Sequence, residues 1–194
     1  INNIAVIGTG VIGTGWIIRF LAHGKKVWAY DINHENKKNL LKEIDRSWPY
    51  VKKLFNKKNK NKKNLYFVTT IKEAVKKADF IQECAPENEN LKKKLIKEIE
   101  SHSREKIIIS SSSSGLLPSK IQSLCRDPER ILIGHPFNPV YLLPLVEIVP
   151  GNKTKKKYID IASNFYLSIS MTPLILKKEI PGYLSDRLQE AMWR

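Results

Sequence analysis

Residues 4–16 read Ile4-Ala5-Val6-Ile7-Gly8-Thr9-Gly10-Val11-Ile12-Gly13-Thr14-Gly15-Trp16. The apolar run from Ile4 to Ile7 is long enough for one buried strand. Gly8-x-Gly10-x-x-Gly13 follows, and then a helical run from Trp16 to His23, closed by Gly24. Each glycine has a job in that setting. Gly8 makes the tight turn out of the strand. Gly10 lets a pyrophosphate approach the backbone. Gly13 lets the helix sit close to the sheet, and the helix N-terminus then turns free N–H groups toward the phosphates. The motif carries weight because a strand precedes it and a helix follows. The next apolar run, Lys26 to Tyr30, reads as a second strand and ends at Asp31. A carboxylate at that distance from the glycines suits both hydroxyls of an adenosine ribose and would repel a 2′-phosphate. The expected cofactor is therefore NAD rather than NADP, held by Gly8, Gly10, Val11, Ile12, Gly13 and Asp31. The plain alternative is a glycine-rich turn in another α/β protein, with Asp31 capping a helix.

The rest of the chain keeps alternating. Helical periodicity runs from about Glu35 to Phe55, where Pro49 predicts a kink or two helices. Strands are expected at Leu65–Val68, Asp79–Gln82, Lys106–Ile109, Arg130–Gly134, Leu145–Val149 and Thr172–Leu176. Helices are expected at Ile71–Lys77, Asn90–Ser101, Pro118–Leu124 and Thr154–Leu167. Strands separated by helices imply a Rossmann-type, doubly wound α/β fold with a mostly parallel sheet. Pro181-Gly182 breaks the pattern. Residues 1–180 are thus expected to form the NAD-binding domain. Residues 181–194 are expected to be the first helix of an all-helical second domain, beginning at Tyr183 with Leu184, Leu188, Ala191 and Met192 on one apolar face.

Composition narrows the function classes. The 194 residues are 42% apolar, enough for a real core, and contain no apolar run long enough to span a bilayer. The formal charge is +15, with 34 Lys and Arg against 19 Asp and Glu. The lysines are interleaved with asparagines, densest from Lys57 to Asn64, and not with the aromatics of a base-stacking platform. That run reads as a solvated loop, so nucleic acid is not the expected partner. Cys84 and Cys125 are the only two cysteines and form no CxxC pair. No metal-ligand spacing or disulfide framework is expected, which suits a reducing cytoplasm. Cys84 reads as a core residue.

In such folds ligands sit at the carboxyl ends of the strands. Three stretches there stand out: the serines at 110–114 after the fifth strand, His135-Pro136-Phe137-Asn138-Pro139-Val140-Tyr141 after the sixth, and Glu147 within the seventh. Of four histidines, His23 closes a helix, while His34 and His102 lie in polar, lysine-rich surface sequence. His135 lies at a strand end in a loop stiffened by prolines. A lone carboxylate in Leu145-Val146-Glu147-Ile148-Val149 is costly unless paired. Pairing with His135 would fix the imidazole's tautomer and raise its basicity. The plain alternative is a structural histidine and a glutamate on an exposed edge strand.

Together the glycine motif, the serine run, His135-Pro136-Phe137-Asn138-Pro139, Glu147 and Pro181-Gly182-Tyr183 resemble the 3-hydroxyacyl-CoA dehydrogenase family over the whole chain. Trp48-Pro49, the segment from Ile81 to Glu87, Pro144-Leu145-Val146-Glu147 and the segment from Arg187 to Arg194 are most similar to its L-carnitine dehydrogenase branch. The L-gulonate 3-dehydrogenase or lambda-crystallin branch shares the serine run and the Pro-Leu-Val-Glu strand. The resemblance implies NAD-dependent oxidation of a secondary 3-hydroxyl to a ketone, on carnitine first, with hydroxyacyl-CoA or gulonate as alternatives. A non-catalytic NAD-binding structural role is the alternative of another class. His135 matches the catalytic base, Glu147 its partner, and Ser114 the serine that holds the reacting oxygen. Asn138 matches a substrate-loop asparagine. Glu87 and Lys92 match contacts to the nicotinamide half of the cofactor. Acyl-CoA enzymes carry Asn where Ser112 stands, which weakens the acyl-CoA reading, and Asn again where Asp186 stands, which leaves two roles for Asp186, in the site or as a helix cap. A trimethylammonium substrate would need aromatic faces or a carboxylate around it, and Phe137 and Tyr141 are the aromatic candidates. The family also implies a small-molecule substrate and a homodimer formed through the second domain.

Overall fold

Strand β1 (Asn3–Ile7) runs through the middle of the sheet, and its burial explains its composition. Ile4 and Val6 pack into one apolar cluster, Ala5 and Ile7 into the other. A strand covered on both faces has no polar side to show, so it reads as an unbroken apolar run. The structure is a computed structural model and describes residues 1–55 and 61–194.

Around β1 the order is β3-β2-β1-β4-β5-β6-β7-β8. The strands are β2 (Lys26–Tyr30), β3 (Leu65–Phe67), β4 (Phe80–Glu83), β5 (Ile108–Ser111), β6 (Ile131–Pro136), β7 (Leu145–Pro150) and β8 (Thr172–Ile175). All neighbouring pairs are parallel except β6 and β7. The order reverses at β1, whose neighbours β2 and β4 lead to opposite sides, so a crevice opens above its carboxyl end. Helices α1 (Val11–Ala22), α2 (Asn36–Leu54) and α6 (Lys156–Ser168) contribute to one face of the sheet; α3 (Ile71–Lys76), α4 (Glu89–His102) and α5 (Pro118–Ile121) contribute to the other. On the first face Trp16 stacks on Phe20 and Tyr166 at 5.4 and 5.3 Å between ring centres. The doubly wound, mostly parallel Rossmann-type fold expected from the alternation is the fold observed.

Several boundaries differ, each for a local reason. Helix α1 starts at Val11, not Trp16, so Val11, Ile12 and Gly13 are its first turn. Pro49 does not divide the second helix: α2 is one helix of 19 residues. Two residues before the proline, the Ser47 hydroxyl donates to the carbonyls of Glu43 and Ile44 within the same helix. Ser110 and Ser111 belong to β5 itself, and His135 and Pro136 to β6, because ladder bonds continue past the apolar stretch. Part of the Lys/Asn run, residues 57–60, lies outside the described residues; Lys62–Asn64 is a 3₁₀ turn capped by Asn61 rather than open loop. The last helix, α7, spans Ser185–Trp193 and excludes Tyr183. Tyr183 has φ +49 and is fully buried in the sheet domain, where its hydroxyl donates to the Leu116 carbonyl at 2.7 Å. Leu184, just before α7, and Leu188, Met192 and Trp193 along it are exposed. Among the described residues no helix is long and apolar enough to cross a membrane.

Candidate active site

The turn after β1 is built as its sequence requires. Gly8 has φ +94, and a Cβ there would meet the Cys84 carbonyl oxygen at 2.7 Å. A Cβ on Gly13 would meet the Gly8 carbonyl oxygen at 2.0 Å, so helix and turn touch backbone to backbone. At Gly10 a Cβ would meet nothing within 4 Å, because that side faces an open cleft of about 900 Å³. Gly10 caps α1 without a side chain, and no acidic residue occupies the first turn. The first-turn N–H groups therefore have no intrahelical acceptor and meet the cleft at the positive end of the helix dipole.

Asp31 lies across the turn at the end of β2. Its Oδ2 accepts the Thr9 N–H at 2.6 Å and the Thr9 hydroxyl at 2.8 Å; its Oδ1 accepts the Asn33 N–H and the Asn36 amide at 2.9 and 3.1 Å. Burial would raise its pKa, but these donors overcome burial and hold the carboxyl below its usual range. An ionised carboxylate, an open glycine face and unpaired N–H groups in one cleft fit a dinucleotide with a free ribose diol. A diol would compete there with the Thr9 and Asn36 side chains for Asp31.

The antiparallel pairing of β6 with β7 sets His135 directly opposite Glu147. Cross-strand partners share a face, and His135 Nδ1 lies 2.9 Å from Glu147 Oε2. Glu147 is buried, which alone would raise its pKa. The bonds from His135, from the Ser185 hydroxyl and from the Ser185 and Leu184 N–H groups outweigh burial and lower it. An ionised acceptor requires the proton on His135 Nδ1, which leaves Nε2 as the basic nitrogen. The rings of Phe137 and Tyr183 lie 5.6 and 5.5 Å from the imidazole.

The serine loop is drawn to the same cleft by Glu87. Its Oε1 accepts the Ser113 hydroxyl at 2.5 Å and the N–H groups of Ser114 and Gly115 at 3.1 and 3.0 Å. Beneath it, Ser112 Oγ receives Trp16 Nε1 at 3.1 Å and Gln82 Nε2 at 2.8 Å, and lies 3.2 Å from Cys84 Sγ. Cys84 is half-buried: it packs against the core and also lines the cleft, and burial pushes its thiol up to about 12.

Gly8, Gly10, Val11, Ile12, Asp31, Glu87, Ser114 and His135 all line the cleft. Gly13 and Glu147 lie one layer behind it, against Gly8 and His135 respectively. Three of the expected contacts lie off the cleft wall in this structure. Lys92 does not itself line the cleft but sits behind Ala85 and Glu87, which do, its ammonium 3.9 Å from Glu87 Oε2. It is fully buried, and its ammonium donates to Glu83 Oε1 and Oε2 at 2.8 and 2.9 Å and to the Ala85 carbonyl at 2.9 Å. A buried charge takes its partner from the nearest element, and β4 supplies Glu83. Asn138 is exposed and does not line the cleft. Tyr141 turns toward α2, packs against the core there and donates to Glu43 at 3.4 Å, so of the two aromatic candidates only Phe137 stays beside His135.

Sequence reasoning missed Arg19. It is fully buried with no carboxylate partner among the described residues, and burial lowers its pKa to about 10. Its guanidinium donates to the carbonyls of Val140 at 2.8 Å, Leu143 at 3.1 Å, Ile169 at 3.1 Å and Ser170 at 2.9 Å. On the same helix face a Cβ on Gly15 would meet Val140 Cβ at 2.9 Å. Helix α1 and the loop beyond His135 are therefore in direct contact.

A family model described as 3-hydroxyacyl-CoA dehydrogenase, NAD binding domain, matches residues 3–180. The chain is 48% identical over its full length to an L-carnitine dehydrogenase of Oceanobacillus iheyensis and 46% identical to one of Pseudomonas putida. It spans 63% and 60% of those two proteins. Its fold superposes on a 3-hydroxybutyryl-CoA dehydrogenase of Escherichia coli K12 with a TM-score of 0.89 and 26% identity, covering 97% of this chain and 40% of that one.

Proposed function

This chain belongs to the 3-hydroxyacyl-CoA dehydrogenase family, and from that premise we propose that it is the NAD-binding, base-bearing part of an enzyme that oxidises a secondary 3-hydroxyl to a ketone, with L-carnitine as substrate. The single observation that carries the chemistry is the His135–Glu147 pair at 2.9 Å, facing the cleft that also holds the glycine turn and Ser114.

Bound NAD supplies the hydride acceptor. The chain's own residues do the rest. Glu147 keeps the His135 proton on Nδ1, so Nε2 takes the substrate's hydroxyl proton as the carbon–hydrogen bond breaks. The imidazolium that forms stays beside an anion already buried and hydrogen-bonded, which avoids reorganisation during the reaction. The Ser114 hydroxyl holds the reacting oxygen, and Glu87 fixes the loop that presents it. Lys92 acts behind the wall, by holding Glu83 and Ala85. Phe137 offers an aromatic face beside the base, which suits a cationic substrate group. The relatives named L-carnitine dehydrogenase support carnitine over acyl-CoA or gulonate.

The same reading includes a domain division near residue 180, a partner domain packed on the exposed apolar face of α7, a homodimer through that domain and a cytoplasmic location. The family match ends at residue 180, and the exposed leucines, methionine and tryptophan in and just before α7 support the division. The test is initial-rate oxidation by the full-length protein with NAD and L-carnitine, L-gulonate or a 3-hydroxyacyl-CoA, each with and without His135→Ala. Turnover should be highest with L-carnitine and should fall about 10²–10⁴-fold in the variant, the span of a positioned acid–base group. Preference for another substrate would overturn the carnitine assignment, and an unchanged rate would overturn the role of His135.

A further inference from the structure

Glu147 serves two partners. Toward the cleft its Oε2 holds His135. Toward the other end of the chain its Oε1 accepts the N–H groups of Leu184 and Ser185, each at 3.1 Å, and its Oε2 also accepts the Ser185 hydroxyl at 2.6 Å. Helix α7 has no cap of its own, since Leu184 offers no side-chain acceptor. The sheet carboxylate fills that place and satisfies the first N–H groups of the helix. Three of the four donors on Glu147 thus belong to the segment that enters α7, and one of them shares an oxygen with His135.

We propose that Ser185 is a positioning residue that sets the proton affinity of the His135–Glu147 pair and makes it depend on where α7 sits. The inference rests on the reading of His135 as the base. Hydrogen bonds to a carboxylate spread its charge, so each donor added to Oε2 weakens its hold on the imidazolium. Removing the Ser185 hydroxyl concentrates charge on the oxygen that His135 uses, and favours the protonated ring. A movement of α7 away from the sheet would remove all three donors and act in the same direction, more strongly. The neighbouring segment is tied in as well. Tyr183 packs its ring against His135 while its hydroxyl reaches the serine loop at Leu116. The charged groups facing this cluster are Glu147 from β7, Glu87 from the loop after β4 and Asp186 from the first turn of α7. All three are carboxylates, and imidazole is the side-chain type in this cluster whose charge ordinarily changes near neutral pH.

The test follows two readouts in the full-length protein: the acid limb of the kcat/KM profile, and the His135 ring-proton titration by NMR, assigned by its loss in His135→Ala. Ser185→Ala should move both midpoints upward by roughly 0.3–1 pH unit, the share of one charge-assisted hydrogen bond that the pair can pass on. Ser185→Gly, which also lacks the hydroxyl, should shift them in the same direction. Ser185→Thr keeps a hydroxyl and should restore the original midpoints. Midpoints that stay put in both hydroxyl-free variants, or that move down, would overturn the inference. If His135→Ala kept full turnover, the proposed base would be wrong, while the NMR titration would still decide whether Ser185 governs the pair.

Discussion

Replacing Lys92 with methionine separates a structural role from a cofactor contact. Both members of the Glu83–Lys92 pair are fully buried. The lysine gives three hydrogen bonds, two to Glu83 and one to the Ala85 carbonyl. Without it, Glu83 keeps only the Ala85 N–H and the Ser111 hydroxyl as donors among the described residues. Leaving one charge of a buried pair without its partner costs about 3–5 kcal/mol. For a domain of this size each kcal/mol lowers Tm by about 2–4 °C, so Lys92→Met should melt about 6–20 °C below the parent. The double variant Glu83→Gln with Lys92→Met removes both charges and should recover much of that loss, because neutral isosteres avoid the stranded carboxylate. The assay is calorimetry of parent, both single variants and the double variant without NAD, followed by NAD titration of whichever remain folded. An unchanged Tm together with weaker NAD binding would refute the reasoning and return Lys92 to the cleft.

Glu147→Gln should slow turnover and move the acid limb of the pH–rate profile to lower pH by roughly one unit: losing the anion disfavours the imidazolium, so neutral His135 persists to lower pH. A limb that rises instead would contradict the pair. NAD should bind about 10²–10³-fold more tightly than NADP, since like charges about 4 Å apart near a protein surface repel by about 4 kcal/mol and tenfold is about 1.4 kcal/mol; equal affinities in a fluorescence titration would exclude Asp31 from the ribose site. Burial pushes both the Cys84 and Cys125 thiols up to about 12, so a thiol reagent at pH 8 should modify the native protein far more slowly than the unfolded chain. Rapid, stoichiometric labelling of native protein would count against that burial.

What sequence conveyed depended on whether the signal was local. The strand, glycine turn and helix at the start of the chain lie within some twenty residues, and they fold as their pattern says. His135 and Glu147 were legible because a charge inside an apolar strand demands a partner. The same logic applies to Glu83, which closes β4 after Phe80, Ile81 and Gln82. Read in that way, Glu83 would have claimed Lys92 before any cofactor did. Arg19 gave no such sign. An arginine in a helix ordinarily reads as surface, and the carbonyls that receive it come from residues 121 to 151 positions away. Tyr183 looked like the start of a helix from its spacing, yet its place is decided by the Leu116 carbonyl and the His135 ring. Turn boundaries also eluded pattern reading, because ladder bonds carry β5 into the serines and β6 into the proline.

The Arg19 clamp limits how this protein can vary. Two of its acceptors, Val140 and Leu143, lie in the loop between β6 and β7, and two, Ile169 and Ser170, in the turn before β8. Adding or deleting a residue between Phe137 and Leu143 would draw at least one loop carbonyl off the guanidinium and leave a buried cation short of acceptors. The segment beside His135, where a new substrate would ask for a longer or shorter loop, is thus held at fixed length by a helix that also carries the glycine turn. Altered specificity is therefore to be sought by exchanging side chains such as Phe137 on a loop of constant length. Grafting a loop of different length from another enzyme would require rebuilding position 19 at the same time.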